Sequence, residues 1–504
     1  MRVWAWLAVA ALGLTGQAAA ATPDETRILI RRAQIADGHD PDLFAGDVRI
    51  AGDRIVAIGT LDPQPGETLI DATGLVLAPG FIDTHSHHDG GLGKHRDALA
   101  LVSQGVTTIV SGQDGDSDVP IARRIADRTA TPAAVNVAYY SGHGTLRAAV
   151  MGTDYKRAAN VTELAAIKTL LDADMRAGAL GLSTGLEYDP GIYASREEVL
   201  ELAKVAAGQG GRYISHIRSE DRDLWGALDE LIAIGKVAKL PVQLSHAKLA
   251  MTDWWGQADR MIARLDAARA DGVDVSLDVY PYINWQSVLT VMWPKRDFEN
   301  RETAEFILGH LAPPEGLLIS ADDADASHVG KTVALVARER GADPVTTVMA
   351  LIRDSRKMGG DVHVIGTSMD ERDIAKLIAW PEANICSDGE FDSLHPRGAG
   401  SFAKVLRHYV RETKLLTLGE AVVRMTGLSA QHMGLVDRGA IRPGAFADLV
   451  LFDPATIADH ATTETPRAQA TGVAKVWVNG ALVYEDGKGT GVFPGRVIKR
   501  VGVK

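Results

Sequence analysis

The chain alternates short apolar runs with polar breaks, and the length of the runs changes along it. After residue 21 come TRILIRRAQIADG, AGDVRIAGDRIVAIG and ETLIDATGLVLAPG, β-branched segments interrupted by Gly, Asp and related turn residues. They predict strands of a small antiparallel unit. The same texture returns in AFADLVLFDP and VAKVWVNGALVYEDG, where Asn479-Gly480 is a strong hairpin signal. The two β-rich ends (22–79 and 431–504) can form one small β-sandwich if the chain between them brings its ends together.

The region between them has a different rhythm. Strand-like runs occur at 105–112, 133–144, 179–186, 211–220, 240–248 and 272–282. Helical stretches at 197–210, 224–239 and 258–272 separate them. In the second of these, Leu224, Leu228, Leu231, Ile232 and Gly235 recur at helical spacing. Strand–helix alternation at roughly thirty residues per unit implies parallel strands with crossovers. Counted from GFIDTHSH to PEANICSD, about eight strands appear. The expected fold class is α/β, a (β/α)8 TIM-like barrel over 80–430 plus the β-sandwich. Residues 289–380 break the rhythm and are expected to be an insertion between the seventh and eighth strands.

Composition adds a few constraints. The 504 residues are 46% hydrophobic and 23% charged, ordinary for a globular chain. A formal net charge of −12 argues against a nucleic-acid-binding surface. Residues 1–21 carry one arginine before a short apolar stretch and end in small residues, the pattern of a cleavable signal peptide rather than a membrane span. A periplasmic or secreted protein is therefore expected, with no other segment apolar enough to cross a bilayer. Cys386 is the only cysteine, so no internal disulfide can form, and its apolar setting predicts a small buried hydrophobe.

In a parallel barrel, chemistry sits at the carboxyl ends of the strands. The first strand runs into LAPGFIDTHSHHDGG. His85 and His87, one residue apart on an extended chain, point the same way and can reach one ion. His88 points oppositely and is expected to be a loop residue. The fifth and sixth strands end in His216 and His246, one βα unit apart. The eighth ends in Asp388, which can bind metal or accept a proton from water. Imidazole and carboxylate donors suit zinc, one or two ions, with Co²⁺, Mn²⁺ or Fe²⁺ also compatible.

These residues, with GHGTLR (142–147), GLSTGLEYDPGIYA (181–194), SHIRSE, SHAK, DVYPY, HPRGAGSF (395–402) and MTGLSAQHMGLVDRGAIRPGAFADLVLFDP (425–454), resemble the amidohydrolase superfamily, and within it the N-acyl-D-amino-acid deacylases (D-aminoacylases). The resemblance spans nearly the whole mature chain. It implies a first metal pair at His85 and His87, a tightly held zinc at His216 and His246, and Asp388 as the catalytic carboxylate. Most members carry a cysteine after the second strand, whereas this chain has Gly112-Gln113-Asp114-Gly115 there. Asp114 is a harder donor than a thiolate and is expected to ligate or bridge two ions; the alternative is a plain turn beside a three-ligand site. The fourth strand lacks the lysine that cyclic-amide hydrolases of the superfamily carboxylate, which counts against such a centre.

The reaction implied is metal-assisted hydrolysis of a linear amide, with no activated Ser or Cys nucleophile. By resemblance, Lys248 and Arg397 are candidates for the substrate α-carboxylate, with Tyr280, Tyr282 and Ser287 as hydroxyl donors. His143 and Arg147 match a family motif as either substrate-side or structural groups. Trp285 stands where relatives carry small residues, and either narrows the pocket or packs against the insertion. The leading reading is hydrolysis of N-acyl-D-amino acids, with D-stereochemistry inherited by analogy. The alternatives are a related amidohydrolase acting on dipeptides such as L-Xaa-D-Xaa or another N-acylated amine, and a non-catalytic metal- or solute-binding protein.

Overall fold

The computed structural model describes residues 27–502, and the leader expected over 1–21 lies outside the described residues. Eight parallel strands form the centre: Phe81–Asp83, Val106–Ser111, Asn136–Tyr139 continued by Ser141–Gly142, Gly181–Gly185, Arg212–His216, Val242–Leu244, Val275–Val279 and Ala383–Ile385. Each pairs in parallel with the next. Where the eighth returns to the first, Asp388 N donates to His85 O at 2.8 Å and His87 N to Gly389 O at 2.9 Å. This is the TIM-type barrel the alternation implied.

Alternation along the strands divides the apolar residues between two cores. Phe81, Ile109, Val137 and Tyr213 join the large cluster that includes the crossover helices. Ile82, Val110, Ala138 and Ile214 form an inner cluster, met by Ala430 and Met433 of the helix Gly427–Met433. The helix Leu224–Ala238 shows why the periodicity was readable. It buries Leu224, Ala227, Leu228, Leu231, Ile234 and Gly235, one stripe of a 3.6-residue repeat, with Ile232 half-buried at its flank.

The chain ends meet in one nine-stranded sheet, where Val76–Pro79 pairs antiparallel with Leu449–Phe452. This sheet has its own core, including Ile30, Ile35, Val48, Leu451 and Trp477. It leads straight into the barrel at Gly80, where a Cβ would lie 2.1 Å from the Thr107 side chain, so only glycine fits the approach. A buried polar knot ties sheet to barrel. Asn136 Nδ2 donates to Asp448 Oδ2 (3.2 Å), Asn479 N to Asp448 Oδ1 (2.7 Å), and Asn479 Nδ2 to Asn136 Oδ1 (2.8 Å). Asn479 does this from the hairpin its Asn-Gly pair predicted, with φ of 48°.

Between the seventh and eighth barrel strands, Asn284–Val288, Leu317–Asp322 and Val362–Thr367 form a separate three-stranded antiparallel sheet. Helices Val333–Arg340 and Pro344–Lys357 join its strands. Its first strand carries Trp285 and Ser287 to the barrel mouth. Trp285 does both things open to it: it lines the mouth, and its Nε1 donates to Ser368 Oγ at 2.6 Å.

Under the third and fourth strands lies a buried ionic group. Glu198 accepts from both His143 Nε2 (2.9 Å) and Arg147 Nη1 (2.5 Å to each oxygen). Arg147 also donates to Tyr155 O and Arg157 O. Burial disfavours the Glu198 carboxylate, but His143 and Arg147 outweigh it and bring its pKa from the usual 4.5 to about 2. A carboxyl held down in the folded state stabilises the fold above its unfolded pKa, and that contribution fades as pH falls through the folded value. Glu198→Gln leaves the buried Arg147 charge unpaired and is expected to destabilise by about 3–5 kcal/mol near neutrality. Thermal melts of both proteins between pH 7 and 2 check this: the gap in Tm should narrow as pH drops below 4.5 towards about 2.

Candidate metal centre

Four strand ends and one turn bring the predicted donors together at the barrel mouth. His85 and His87 lie beyond the first strand, which ends at Asp83, so strand alternation does not aim them. His87 has φ −106° and ψ 8°. Their convergence comes from backbone bonds to neighbouring strands: Ser86 N to Val110 O at 3.0 Å, and the seam to Asp388 and Gly389 described above. Asp114 is delivered by the Gly112–Gly115 turn. Both glycines have positive φ, and a Cβ on Gly112 would sit 2.2 Å from Tyr140 O. Gln113 fixes the turn by donating to Thr84 O and Val110 O, each at 3.0 Å.

Asp114, His246 and Asp388 all have left-handed backbones, with φ of 53°, 34° and 48°. Non-glycine residues in that region are strained and persist where surrounding structure fixes them, typically at functional sites. Here the fixing is visible for His246, whose N donates to the buried Asp278 carboxylate at 2.5 Å.

The donor atoms form two groups that share Asp114. His85 Nε2 and His87 Nε2 each lie 3.4 Å from Asp114 Oδ2, and 3.5 and 3.2 Å from Asp388 Oδ1. On the other side, His246 Nε2 is 3.3 Å from Asp114 Oδ1 and 3.2 Å from His216 Nδ1. Donors placed tetrahedrally about 2.0–2.1 Å from one zinc ion are about 3.3 Å apart, so both groups have the spacing of a ligand shell. Both ring nitrogens of His85 are buried without a hydrogen-bond partner, as expected of a side chain built to meet a cation. The donor set fits divalent metal ions at both positions.

The outer nitrogens of the second pair are held by carboxylates that the sequence reading did not single out. His216 Nε2 is 3.0 Å from Glu187 Oε2, and His246 Nδ1 is 3.1 Å from Glu220 Oε1. Such carboxylates set the tautomer and orientation of a metal-binding imidazole. Glu187 sits in GLEYDPG and Glu220 in SHIRSE, both quoted as family motifs. Nothing in their spacing shows that they face these histidines.

The electrostatics follow from burial among opposite charges. Burial opposes ionisation of Asp388, but Arg397, His246 and His87 more than offset it and hold its carboxyl well below the usual range. Asp114 is likewise lowered, by His85 and His246 against the cost of burial. His246 is disfavoured as a cation by burial and by Lys248, yet the carboxylates of Asp114, Glu220 and Asp388 bring its pKa up to about 10.

The substrate-side candidates divide. Arg397 Nη1 donates to Asp388 Oδ2 at 2.5 Å, and Ser287 lines the mouth beside it. Tyr280 is buried with its hydroxyl unpartnered, and its ring lies 4.9 Å from the Arg397 guanidinium carbon and 5.9 Å from Lys248 Nζ. Lys248 lines the mouth, where its Nζ is engaged by both Glu220 oxygens (2.7 and 2.9 Å) and by His246 Nδ1 (2.6 Å). Tyr282 packs against His395, and His143 faces Glu198; like Tyr280, neither lines the mouth cavities. His88, expected in a loop, is instead buried, with Nδ1 2.9 Å from Ser86 Oγ and its ring against Phe391. Cys386 is fully buried, as its apolar setting implied.

Two cavities meet at Asp388 and Arg397. One runs towards Lys248, Met292 and Leu311. The other, about 610 Å³, runs past His87 and Asp114 towards Asp116, Asp189 and His363. A water activated between the donor groups would meet a substrate spanning both.

Comparisons with known proteins agree with this geometry. A model of the amidohydrolase family matches residues 68–307 and 319–484. The chain is 38% identical to a D-aminoacylase of Alcaligenes xylosoxydans xylosoxydans, covering 94% of this chain and 97% of that one. It is 36% identical to an N-acyl-D-aspartate deacylase of the same organism, over 94% and 95%. Its fold matches the crystal structure of an N-acyl-D-glutamate deacylase from Bordetella bronchiseptica, complexed with zinc and a phosphonate mimic of the tetrahedral intermediate. That match has a TM-score of 0.85 and 34% identity, covering 94% of this chain and all of the other. With strands, donor groups and matched span in agreement, this chain belongs to the amidohydrolase family, on its D-aminoacylase branch.

Proposed function

We propose that the protein hydrolyses the linear amide of N-acyl-D-amino acids in a metal-dependent reaction, giving a carboxylate and a free D-amino acid. One observation carries the reading: two donor groups with ligand-shell spacing share Asp114, and Asp388 stands at their edge beside Arg397. The likeness to three deacylases of N-acyl-D-amino acids, one of them zinc-bound, supports the same substrate class.

His85 and His87 would hold one ion and His216 and His246 the other, with one Asp114 oxygen facing each. Divalent ions there supply an activated water and polarise the scissile carbonyl. The protein's own groups do the rest. Asp388 takes the water proton on a carboxylate oxygen and delivers it to the leaving nitrogen, because an amide anion is too basic to leave unprotonated. Arg397 keeps that carboxylate ionised and oriented through its 2.5 Å bond. The cations of Arg397 and Lys248 line the cavity in which a substrate α-carboxylate would dock, with the Tyr280 ring packed beside both. Export to the periplasm or beyond is part of the proposal and is supported by the leader-like residues 1–21.

The larger cavity favours a second reading of the acyl side. Its volume exceeds what an acetyl group needs, and Asp116, Asp189 and Glu390 line it. An N-terminal ammonium would be welcome there, so L-Xaa-D-Xaa dipeptides belong in any substrate test.

The test is hydrolysis of N-acetyl-D- and N-acetyl-L-amino acids and L-Xaa-D-Xaa dipeptides by the metal-replete enzyme. N-acyl-D substrates should be cleaved with the highest kcat/KM; preference for L-acyl substrates ends the proposal. Asp388→Asn should lower kcat by about 10²–10⁴ while its circular dichroism spectrum still shows the folded protein. Elemental analysis of Asp114→Ala should show less than the wild-type metal content, and Asp114→Cys loaded with cobalt should gain a thiolate-to-metal absorption band. Wild-type stoichiometry and affinity in Asp114→Ala would remove this residue from the centre.

A further inference from the structure

The acidic run that supplies Asp114 continues beyond it. Asp114, Asp116 and Asp118 alternate in QDGDSD, and the metal centre uses the first of them. Asp116 and Asp118 line a third cavity of about 380 Å³, between the loops that follow the first and second barrel strands. His87 forms part of its wall, and the His87 side chain is 35% exposed, against 3% or less for His85, His216 and His246. With the larger mouth cavity this one shares only His87, Asp116 and Glu390; with the cavity beside Lys248 it shares no residue.

The charged lining is nearly all of one sign. Asp89, Asp116, Asp118 and Glu390 face Arg124, the one lysine or arginine in the wall. That cation is already engaged: Arg124 Nε lies 2.5 Å from Asp118 Oδ2 and 3.9 Å from Asp89 Oδ2. Tyr139, at the end of the third strand, also lines the cavity; it is 3% exposed and its hydroxyl has no hydrogen-bond partner. Carboxylates and a free hydroxyl are the oxygen donors that suit a hydrated divalent cation. Among the described residues, however, no three of these carboxylates converge as the donors around Asp114 do, so the cavity has the lining of a passage and not of a ligand shell.

A metal centre set back from the surface needs an entry path. Both mouth cavities are the ones a substrate fills, so an ion arriving through them competes with it. We infer that divalent cations enter the centre through the third cavity, drawn inwards to His87 by Asp89 and Asp118. Charge of one sign along a cleft raises the local concentration of the opposite ion and speeds its arrival, by about 10–10³-fold in strong cases. The route rests on the metal centre proposed above and is independent of which amide is cleaved.

The test is the rate at which the full chain, stripped of metal by a chelator and still folded by circular dichroism, takes up Co²⁺, followed by growth of the cobalt absorption bands. In the double variant Asp89→Asn/Asp118→Asn uptake should slow by about tenfold, and its dependence on salt should flatten. Asp118→Asn alone, at a side chain 39% exposed, should slow it in the same sense. Arg124→Gln removes the one cation and should speed uptake, a change of sign that loosening of the fold would not produce. The final metal content, and kcat/KM of each loaded protein, should match the wild type. Wild-type uptake rates in both Asp variants, or slower uptake in Arg124→Gln, would overturn the inference and leave the metal centre standing. So would a loss of metal content in the Asp variants, which would make these carboxylates ligands and not a route. A wild-type chain that takes up no Co²⁺ would overturn the centre as well.

Discussion

The arrangement depends on a carboxylate placed between two pairs of imidazoles, out of bulk water. Asp114 turns one oxygen to His85 and His87 and the other to His246. Lone pairs concentrated in this way repel one another unless something positive lies among them. Without an ion, protons are drawn in, which is why His246 is pushed up to about 10. With an ion, the same donors lose their protons and become a ligand shell. The strained backbones of Asp114, His246 and Asp388 mark where the fold enforces this crowding.

Around that centre the structure is layered by duty. Glu187, Glu220 and Asp278 fix the histidines of the centre, the first two from the wall of the mouth cavity. Arg397 fixes Asp388 in the same way. Outside them, the buried knot of Asn136, Asp448 and Asn479 and the group of His143, Arg147 and Glu198 hold the barrel strands to the flanking sheet and helices. Each of these polar groups is thus a donor, a support of a donor, or a paired tie between layers.

The metal donors and much of the mouth cavity come from different parts of the chain. The donors belong to the barrel and are set by strand ends. The wall of the cavity beside Lys248 belongs largely to the insertion, through Trp285, Val291, Met292 and Leu311. Replacing such a segment can change which side chain is accepted without moving a metal ligand, the usual economy of barrel enzymes.

The sequence alone determined the class of fold and most of the donors. Strand–helix alternation is a local property, so eight strands could be counted, and histidines at their ends could be named because position in a barrel follows from position in a strand. The Asn-Gly hairpin was legible for the same reason. What the sequence did not contain was direction beyond the strands. His85 and His87 converge through bonds to the second and eighth strands, not through alternation. His143 turns to Glu198, and His88 packs inside, because partners distant in sequence receive them. Glu187 and Glu220 become supports only when the fourth, fifth and sixth strands stand side by side. The two faces of Asp114 and the apolar wall opposite Lys248 were decided by tertiary structure, since each is a relation between segments that no local pattern records.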